Sequence, residues 1–436
     1  MIISPVFLDA YRVLLLGSGA REHAMAQAMA SSPRCQRLWV HPGNAGTEAW
    51  ALDQPLDWRD TSQLADFVVR NGIQLLVVGP EEPLVKGLVD HCRQHPLLQN
   101  LLIVGPDAHG AMLEGSKDFS KAFMQRHGIP TARARTFHAA QRVEAEAYVQ
   151  QHAMPVVLKA DGLAAGKGVL ICNTPQEALD GLSQFWTEQK FGEAGAKVLV
   201  EEFLDGIECS VFALCDGKDY VLLPTAKDYK RVGEGDTGLN TGGMGAVSPP
   251  PFATHELMER IEERIVRPTL HGLRSEGIDY RGFLFVGIMK VGEDPKVIEY
   301  NVRMGDPETE AVLPRIKNDF LEVLIAAASG RLRGLELLVD PRFAVTTVVC
   351  SGGYPGDLQL GYPMAGLTER DCAEDERLFH AGTKREGSVC VNRGGRVVAA
   401  TVLDRDLKEA ARRSLALAKE IRFEGAFCRT DLGQDL

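Results

Sequence analysis

Several classes of protein are excluded by what this chain does not have. Its nine cysteines, scattered at positions 35, 92, 172, 209, 215, 350, 372, 390 and 428, include no C-x-x-C pair and have no His-rich partner. That pattern argues against a disulfide framework or a zinc site and suits a reduced, cytoplasmic setting. Positive charge is not in surplus: 48 Lys and Arg against 59 Asp and Glu leave a formal net charge of -11. Nucleic acids and acidic membranes call for a basic footprint, so neither is an expected partner, and any anionic substrate must be met by local cations. No apolar run approaches the length needed to span a bilayer. The apolar start is broken by Asp9 and Arg12 and has no basic stretch before it, so it reads as the approach to a core strand rather than a leader.

What is present is ordinary globular composition, 45% hydrophobic and 25% charged over 436 residues, enough for roughly three domains. From residue 11 to about 113 short apolar strands (Val13 to Leu16, Leu38 to Val40, Leu75 to Val78, Leu101 to Val104) alternate with helical segments. Such alternation predicts a parallel, doubly wound sheet whose binding loops lie at the carboxyl edges of the strands. The first of those loops, Gly17-Ser18-Gly19-Ala20-Arg21-Glu22, starts like a dinucleotide fingerprint. It then has Glu22 in place of the third glycine, and His41 where a ribose-binding acid would stand. What survives is a helix N-terminus with backbone donors and Arg21, suited to one phosphate.

The stretch Lys159-Ala160-Asp161-Gly162-Leu163-Ala164-Ala165-Gly166-Lys167-Gly168-Val169 follows the apolar run Pro155 to Leu158. It predicts strand, glycine-rich hairpin and strand, with backbone able to approach a polyphosphate and two ammonium groups as mobile point charges. It is not a Walker A loop, because three residues separate Gly162 from Gly166 and Gly168 stands where a magnesium-binding hydroxyl belongs. A surface hairpin with two solvated lysines is the alternative. Upstream, Glu114-Gly115-Ser116-Lys117 opens a helix with Phe119, Phe123 and Met124 on one face. Downstream, Val198 to Val200 leads into Glu201-Glu202-Phe203-Leu204 and Glu208, which could offer backbone and an apolar wall to a purine and a carboxylate to ribose, or simply face water.

The segment 228–249 is rich in glycine and longer than an idle loop in a compact enzyme, although a solvated loop would also account for it. A helix through Leu257, Ile261, Ile265 and Leu270 precedes two strands, Phe283 to Met289 and Val297 to Tyr300. Glu299, Asn301 and Arg303 fall at i, i+2 and i+4 and so share one face of a strand. A carboxylate and an amide oxygen suit magnesium, which keeps waters and phosphates as its other ligands, and an arginine just beyond can clasp an anion in a fork. A solvent-facing polar stripe explains the spacing equally well. Asp306 and Pro307 read as the N-cap and first residue of a helix. After about residue 332 the chain turns strand-rich and closes with an amphipathic helix through Leu407, Ala411, Leu415 and Ile421.

Taken in order, these segments resemble the phosphoribosylamine-glycine ligase family, also called glycinamide ribonucleotide synthetases, of the ATP-grasp superfamily. The blocks are GSGAREHA, HPGNAG, VGPEEPLVKG, GPDAHGAMLEGSK, KADGLAAGKGV, EEFLDGIECS, KDYKRVGEGDTGLNTGGMGA, IEYNVRMGDPETE, SGGYPG, FHAGTK and CRTDLG, spread from about Arg12 to Gly433. The resemblance implies a multidomain α/β and α+β fold: an N-terminal substrate-binding unit over 1–113, an ATP-grasp unit over 114–332 with a mobile lid at about 131–198, and a β-rich unit over 333–436. It implies joining ATP, glycine and 5-phosphoribosylamine into glycinamide ribonucleotide, ADP and phosphate by way of glycyl phosphate.

Carried over by position, ATP would meet Lys117, Lys159, Gly166, Lys167, Gly168, Glu201, Glu202, Phe203, Leu204 and Glu208. Phosphoribosylamine and glycine would meet Gly19, Arg21, Glu22, Asn44, Gly79, Pro80, Glu81, Asp228, Thr241, Gly242, Gly243, Gly245 and Arg303. Arg303 and Lys159 would act in the transfer itself, and Glu299 and Asn301 would hold Mg2+ or Mn2+. The expected assembly is a monomer or a weak homodimer. In one departure, Lys227-Asp228-Tyr229 stands where many members carry Gln-Asp-His, exchanging an amide and an imidazole for an ammonium and a phenol. A carboxylating or formate-activating ligase on the same ATP core, and a nucleotide-binding regulator without turnover, are the rivals. The FHAGTK block counts against the first and the intact candidate metal ligands against the second.

Overall fold

A computed structural model describes residues 9–163, 168–188, 190, 192–367 and 373–436. The expected N-terminal sheet is present. Strands Cys35–Pro42, Tyr11–Gly17, Leu75–Val78 and Leu102–Val104 lie side by side in that order, all parallel. Their side chains alternate between two cores: Leu14, Leu16, Leu76 and Val78 pack on one face, Val13, Leu15, Leu75 and Val77 on the other. Both faces are covered along the two inner strands, which is why Val13 to Leu16 and Leu75 to Val78 read as unbroken apolar runs.

Two antiparallel sheets follow. One carries Ala134–His138, Lys197–Glu202, Val156–Ala160 and Val169–Cys172 in that order, so the strand after the lysine turn folds back on the strand before it. Helices Arg142–Gln151 and Pro175–Trp186 give it a separate core of Phe137, Val149, Leu158, Leu182 and Phe185. The other sheet runs Tyr220–Leu222, Ile207–Asp216, Arg281–Val291 and Asp294–Asn301.

A five-stranded antiparallel sheet closes the fold: Lys227–Asp228, Gly245–Ser248, Phe343–Cys350, Arg396–Asp404 and Glu376–His380. Its first two strands come from the glycine-rich segment, so that segment is stitched into the C-terminal sheet. No helix among the described residues is long and apolar enough to cross a membrane, and every cysteine among them is a free thiol.

Three local readings are corrected. The helix through Leu257 and Leu270 contains a π turn, Glu262–Val266, between His255–Ile261 and Arg267–Ser275. Pro268 has no N–H to offer the carbonyl four residues back, and the extra residue of a π turn carries the five-residue step from Ile265 to Leu270 on one buried face. The closing helix, Leu407–Glu420, buries Ala410, Ser414, Leu417 and Ala418, leaves Leu415 half-buried, and ends before Ile421. The strand carrying Glu299 ends at Asn301, so Arg303 lies just beyond it rather than on its face; the next helix begins at Glu308 with Pro307 in the cap position, and Asp306 is engaged instead by Arg396 at 3.0 Å.

Candidate active site

The first glycine loop owes its shape to Glu22. This carboxylate is buried, accepts a hydrogen bond from Gly19 N at 2.6 Å and pairs with Arg21 Nε at 2.5 Å. A Cβ on Gly79 would stand 2.2 Å from Glu22 Oε1, and one on Gly17 would stand 2.2 Å from its Cγ. Glycine at the ends of two neighbouring strands therefore makes the room that the third glycine of a dinucleotide site would have made for the helix. Arg21 also donates to the Met304 carbonyl at 3.1 Å. Burial opposes its charge, but Glu22, Asp306 and Glu81 more than offset that, and its pKa lies above the ordinary arginine value.

Between the two central sheets and this loop lies a cavity of about 420 Å³. Lys117, Lys159, Gly168, Arg21, Pro80, Glu81, Asp228, Thr241, Gly242, Glu299, Asn301 and Arg303 all line it. Residues far apart in sequence thus share one wall. Leu163, Val169, Leu199, Met124, Phe285 and Ile298 supply its apolar surface. A smaller adjoining space of about 210 Å³ is lined by Gly19, Arg21, Glu22, Pro80 and Asp306. A third, of about 460 Å³, has Gly19, Asn44, Asp306 and Arg396 in its lining.

The charges are arranged in two groups. Around Glu299 stand Lys230, Lys159, Lys117 and Arg303; burial would raise its pKa, but these cations bring it below the usual glutamate value, so it is ionised at neutral pH. Burial holds Lys117 below the ordinary lysine value, with Glu299 opposing and Lys159 adding to the shift. The second group surrounds Arg303, which donates to Glu114 Oε1 at 2.8 Å and Glu81 Oε2 at 3.3 Å. Glu114 also accepts from Val302 N at 2.8 Å. Its burial pushes its pKa up to about 7 against the pull of Arg303, with Glu81 adding to the rise.

Glu299 and Asn301 fit a hard divalent cation. Among the described residues neither side chain has a hydrogen-bond or ion-pair partner, yet both residues line a cavity ringed with cations, where substrate phosphates would supply the remaining ligands. No cluster of three or more His, Cys, Asp and Glu among the described residues could hold a metal by protein ligands alone.

Other anticipated residues take different places. Glu201 lies buried, with its two oxygens bound to Lys159 and Lys121, and so anchors two ammonium groups. Glu202 pairs with Arg133 at 2.8 Å, and Glu208 pairs with Lys230. Phe203 is exposed and Leu204 half-buried, and neither lines the cavity. Asn44 already uses its amide on the Ser18 and His380 carbonyls, at 2.9 and 2.7 Å. Gly243 and Gly245 pack closely against Pro307 and Leu432. Gly166 and Lys167 lie outside the described residues.

Lys121, Glu114, Lys230, Glu308 and Arg396, to which the motifs assign no role, also stand in the cavity wall. Lys121 could have been found, since it is one helical turn beyond Lys117. Arg396 could not: it donates to the Gly242 carbonyl at 2.6 Å across 154 residues of chain. Tyr354 assists by accepting from Gly242 N at 3.0 Å.

A cleft of this kind, with cationic side chains facing a carboxylate and an amide between two antiparallel sheets, defines an ATP-grasp enzyme. The biotin carboxylase domain of the Hydrogenobacter thermophilus 2-oxoglutarate carboxylase, solved with MgADP and bicarbonate, shares the fold at a TM-score of 0.72 with 16% identity, covering 97% of this chain and 92% of that one. The more specific matches are to the phosphoribosylglycinamide synthetase N domain over residues 11–114, its ATP-grasp (A) domain over 115–309 and its C domain over 344–435. The chain belongs to the phosphoribosylglycinamide synthetase family. Phosphoribosylamine–glycine ligases of Chlorobaculum tepidum and Vibrio cholerae are each 44% identical to it, covering 97% of this chain and 99% and 97% of theirs. The phosphoribosylamine–glycine ligase of Thermotoga maritima, at 33% identity, superposes with a TM-score of 0.81 over 96% of this chain and 99% of its own.

Proposed function

We propose that this chain joins glycine to 5-phosphoribosylamine with cleavage of ATP, giving glycinamide ribonucleotide, ADP and phosphate, an early step of purine synthesis. The observation that carries this reading is the shared cavity. Ionised Glu299 and Asn301 share the cavity with Lys117, Lys159 and Arg303, while Arg21 and Glu81 reach in from the N-terminal sheet.

A carboxylate resists attack by an amine, so one glycine oxygen first takes the γ-phosphoryl group of ATP. The amine nitrogen then attacks the carbonyl carbon of glycyl phosphate, the C–N bond forms, and the bond to the phosphate oxygen breaks. Such transfer needs placement and neutralised charge rather than a covalent protein nucleophile. Lys117 and Lys159, with Gly166, Lys167 and Gly168 of the turn, would meet the phosphates, and Glu201 to Leu204 with Glu208 would be left for the nucleoside. Arg303, oriented by Glu114 and Glu81, would hold the transferring group together with Thr241, Gly242, Gly243 and Gly245. Gly19, Arg21, Glu22, Asn44, Gly79, Pro80, Glu81 and Asp228 would form the phosphoribosylamine side. Glu299 and Asn301 would hold Mg2+, with Mn2+ as a substitute; when bound, the ion offsets phosphate charge.

In this reading residues 1–113 carry the amine substrate, 114–332 the nucleotide, with 131–198 as a lid, and 333–436 brace the glycine-rich loop. The protein acts as a monomer or weak homodimer in the cytoplasm. The test is ADP release by the purified protein with Mg2+ and ATP, with glycine and phosphoribosylamine omitted in turn. Release that needs both, with a glycinamide ribonucleotide mass, supports the reading; release with another carboxylate but not glycine refutes the substrate assignment.

A further inference from the structure

Asp228 lies in a two-residue strand, Lys227–Asp228, and its side chain lines the cavity. Its neighbours on either side point to the opposite face, as alternation along an extended chain requires. There both meet one carboxylate. Lys227 Nζ pairs with Asp435 Oδ2, and Tyr229 OH donates to Asp435 Oδ1 at 2.6 Å. The Tyr229 hydroxyl in turn accepts from Gly433 N at 2.9 Å, and the Lys227 ammonium sits 4.5 Å from the centre of the Tyr229 ring. Leu432 is buried beside Tyr229 with Val247, Val345 and Ala410, so this part of the chain is firmly seated.

A few residues earlier the same segment grips the hairpin that joins Asp228 to the glycine-rich loop. Arg429, almost fully buried, donates to Asp236 at 2.7 Å and to the Arg231 carbonyl at 3.1 Å, and Asp431 accepts from Gly235 N at 2.7 Å. Lys227 and Tyr229 are the two residues by which this sequence departs from the Gln and His of many family members, and here both find Asp435.

We propose that Asp435 is a positioning residue of the substrate site: its carboxylate ties down both flanks of Asp228 and thereby fixes where the Asp228 carboxylate meets phosphoribosylamine. The proposal rests on the reading above that Asp228 belongs to that substrate. It differs from a purely structural role because Lys227 and Tyr229 do not line the cavity themselves but flank Asp228, which does, while Lys230 on the far side of Tyr229 is held separately by Glu208.

The test measures KM for phosphoribosylamine and for ATP in the full-length protein carrying Asp435→Asn, Tyr229→Phe, Asp228→Asn, or Lys227→Gln with Asp435→Asn. Asp435→Asn leaves an acceptor for Tyr229 but sets an amide against the Lys227 ammonium. The phosphoribosylamine KM should rise about tenfold, in the range that loss of an orienting partner costs. The ATP KM should stay unchanged. Tyr229→Phe should give a smaller rise of the same kind, which keeps the test intact if Asp435→Asn does not fold. The double variant, with an amide pair in place of the ion pair, should recover most of the loss. If Asp228→Asn leaves the phosphoribosylamine KM unchanged, the substrate reading falls and the proposal with it. A raised KM in Asp228→Asn with no change in Asp435→Asn or Tyr229→Phe, or an equal rise in both substrates' KM, overturns the proposal alone.

Discussion

Replacing Arg303 by Met keeps the length of the side chain and removes its charge and fork. In the native fold Arg303 is 18% exposed and sits between Glu81 at 3.3 Å and Glu114 at 2.8 Å, the latter carboxylate being 7% exposed. Removing the cation from a buried pair leaves a carboxylate desolvated and uncompensated, which costs about 3–5 kcal/mol. The loss depends on pH because Glu114 can neutralise itself. Its pKa is already pushed up to about 7, chiefly by burial, and it goes higher without Arg303. The folded state then binds a proton that the unfolded state, titrating near the ordinary glutamate value, has released. Stability therefore falls as pH rises between those two values, and in the variant the fall continues past 7.

Urea unfolding at pH 6 and pH 8 should show the larger deficit at pH 8, near the full 3–5 kcal/mol estimated for a broken buried pair. Glycine-dependent ADP release should fall by at least about a hundredfold at both, since oriented charge on the transferring group is lost. A deficit equal at the two pH values, or below about 1 kcal/mol, the level of an exposed pair, would refute the argument.

Three further outcomes are expected. Glu299→Gln should keep the melting temperature but abolish glycine-dependent ADP release at ordinary Mg2+, with a displaced requirement in a Mg2+ titration; near-normal turnover would remove the metal assignment. Gly79→Ala should destabilise by about 1–3 kcal/mol, an overpacking cost, because its Cβ would stand 2.2 Å from Glu22 Oε1 and 2.7 Å from the Leu16 carbonyl. Thermal melts measure the loss, and an unchanged melting temperature would count against the close approach. Burial pushes His23 down to about 3 and His380 down to about 4. Where His380 N donates to His23 Nδ1 at 2.8 Å, the N-terminal helix meets the C-terminal sheet. Both are neutral in the fold, so their contribution is full above the unfolded histidine pKa of about 6.5 and is lost as pH falls from there toward 3 to 4. His23→Gln should flatten the stability slope between pH 7 and pH 5, and an unchanged slope would count against the joint.

Local periodicity made the N-terminal sheet legible, since a strand covered on both faces needs a continuous apolar run, as in Leu75–Val78. Period-two spacing likewise brought Glu299 and Asn301 to one wall. What could not be read were interactions between distant segments. Glu201 looks like a free carboxylate in its own strand, and only the fold delivers Lys121 and Lys159 to its two oxygens. The seating of Asp306 against Arg396 arises similarly from packing. Local propensity holds no record of a partner about ninety residues away.

Activation of glycine as an acyl phosphate in the cavity between Arg303 and Glu299 is the step on which the proposed reaction turns. Its most direct test supplies glycine labelled with oxygen-18 in both carboxylate positions, together with ATP, Mg2+ and phosphoribosylamine, and follows the label by mass spectrometry. One labelled oxygen in the released phosphate and one in the amide of glycinamide ribonucleotide is the predicted result. Unlabelled phosphate alongside formed product would contradict it.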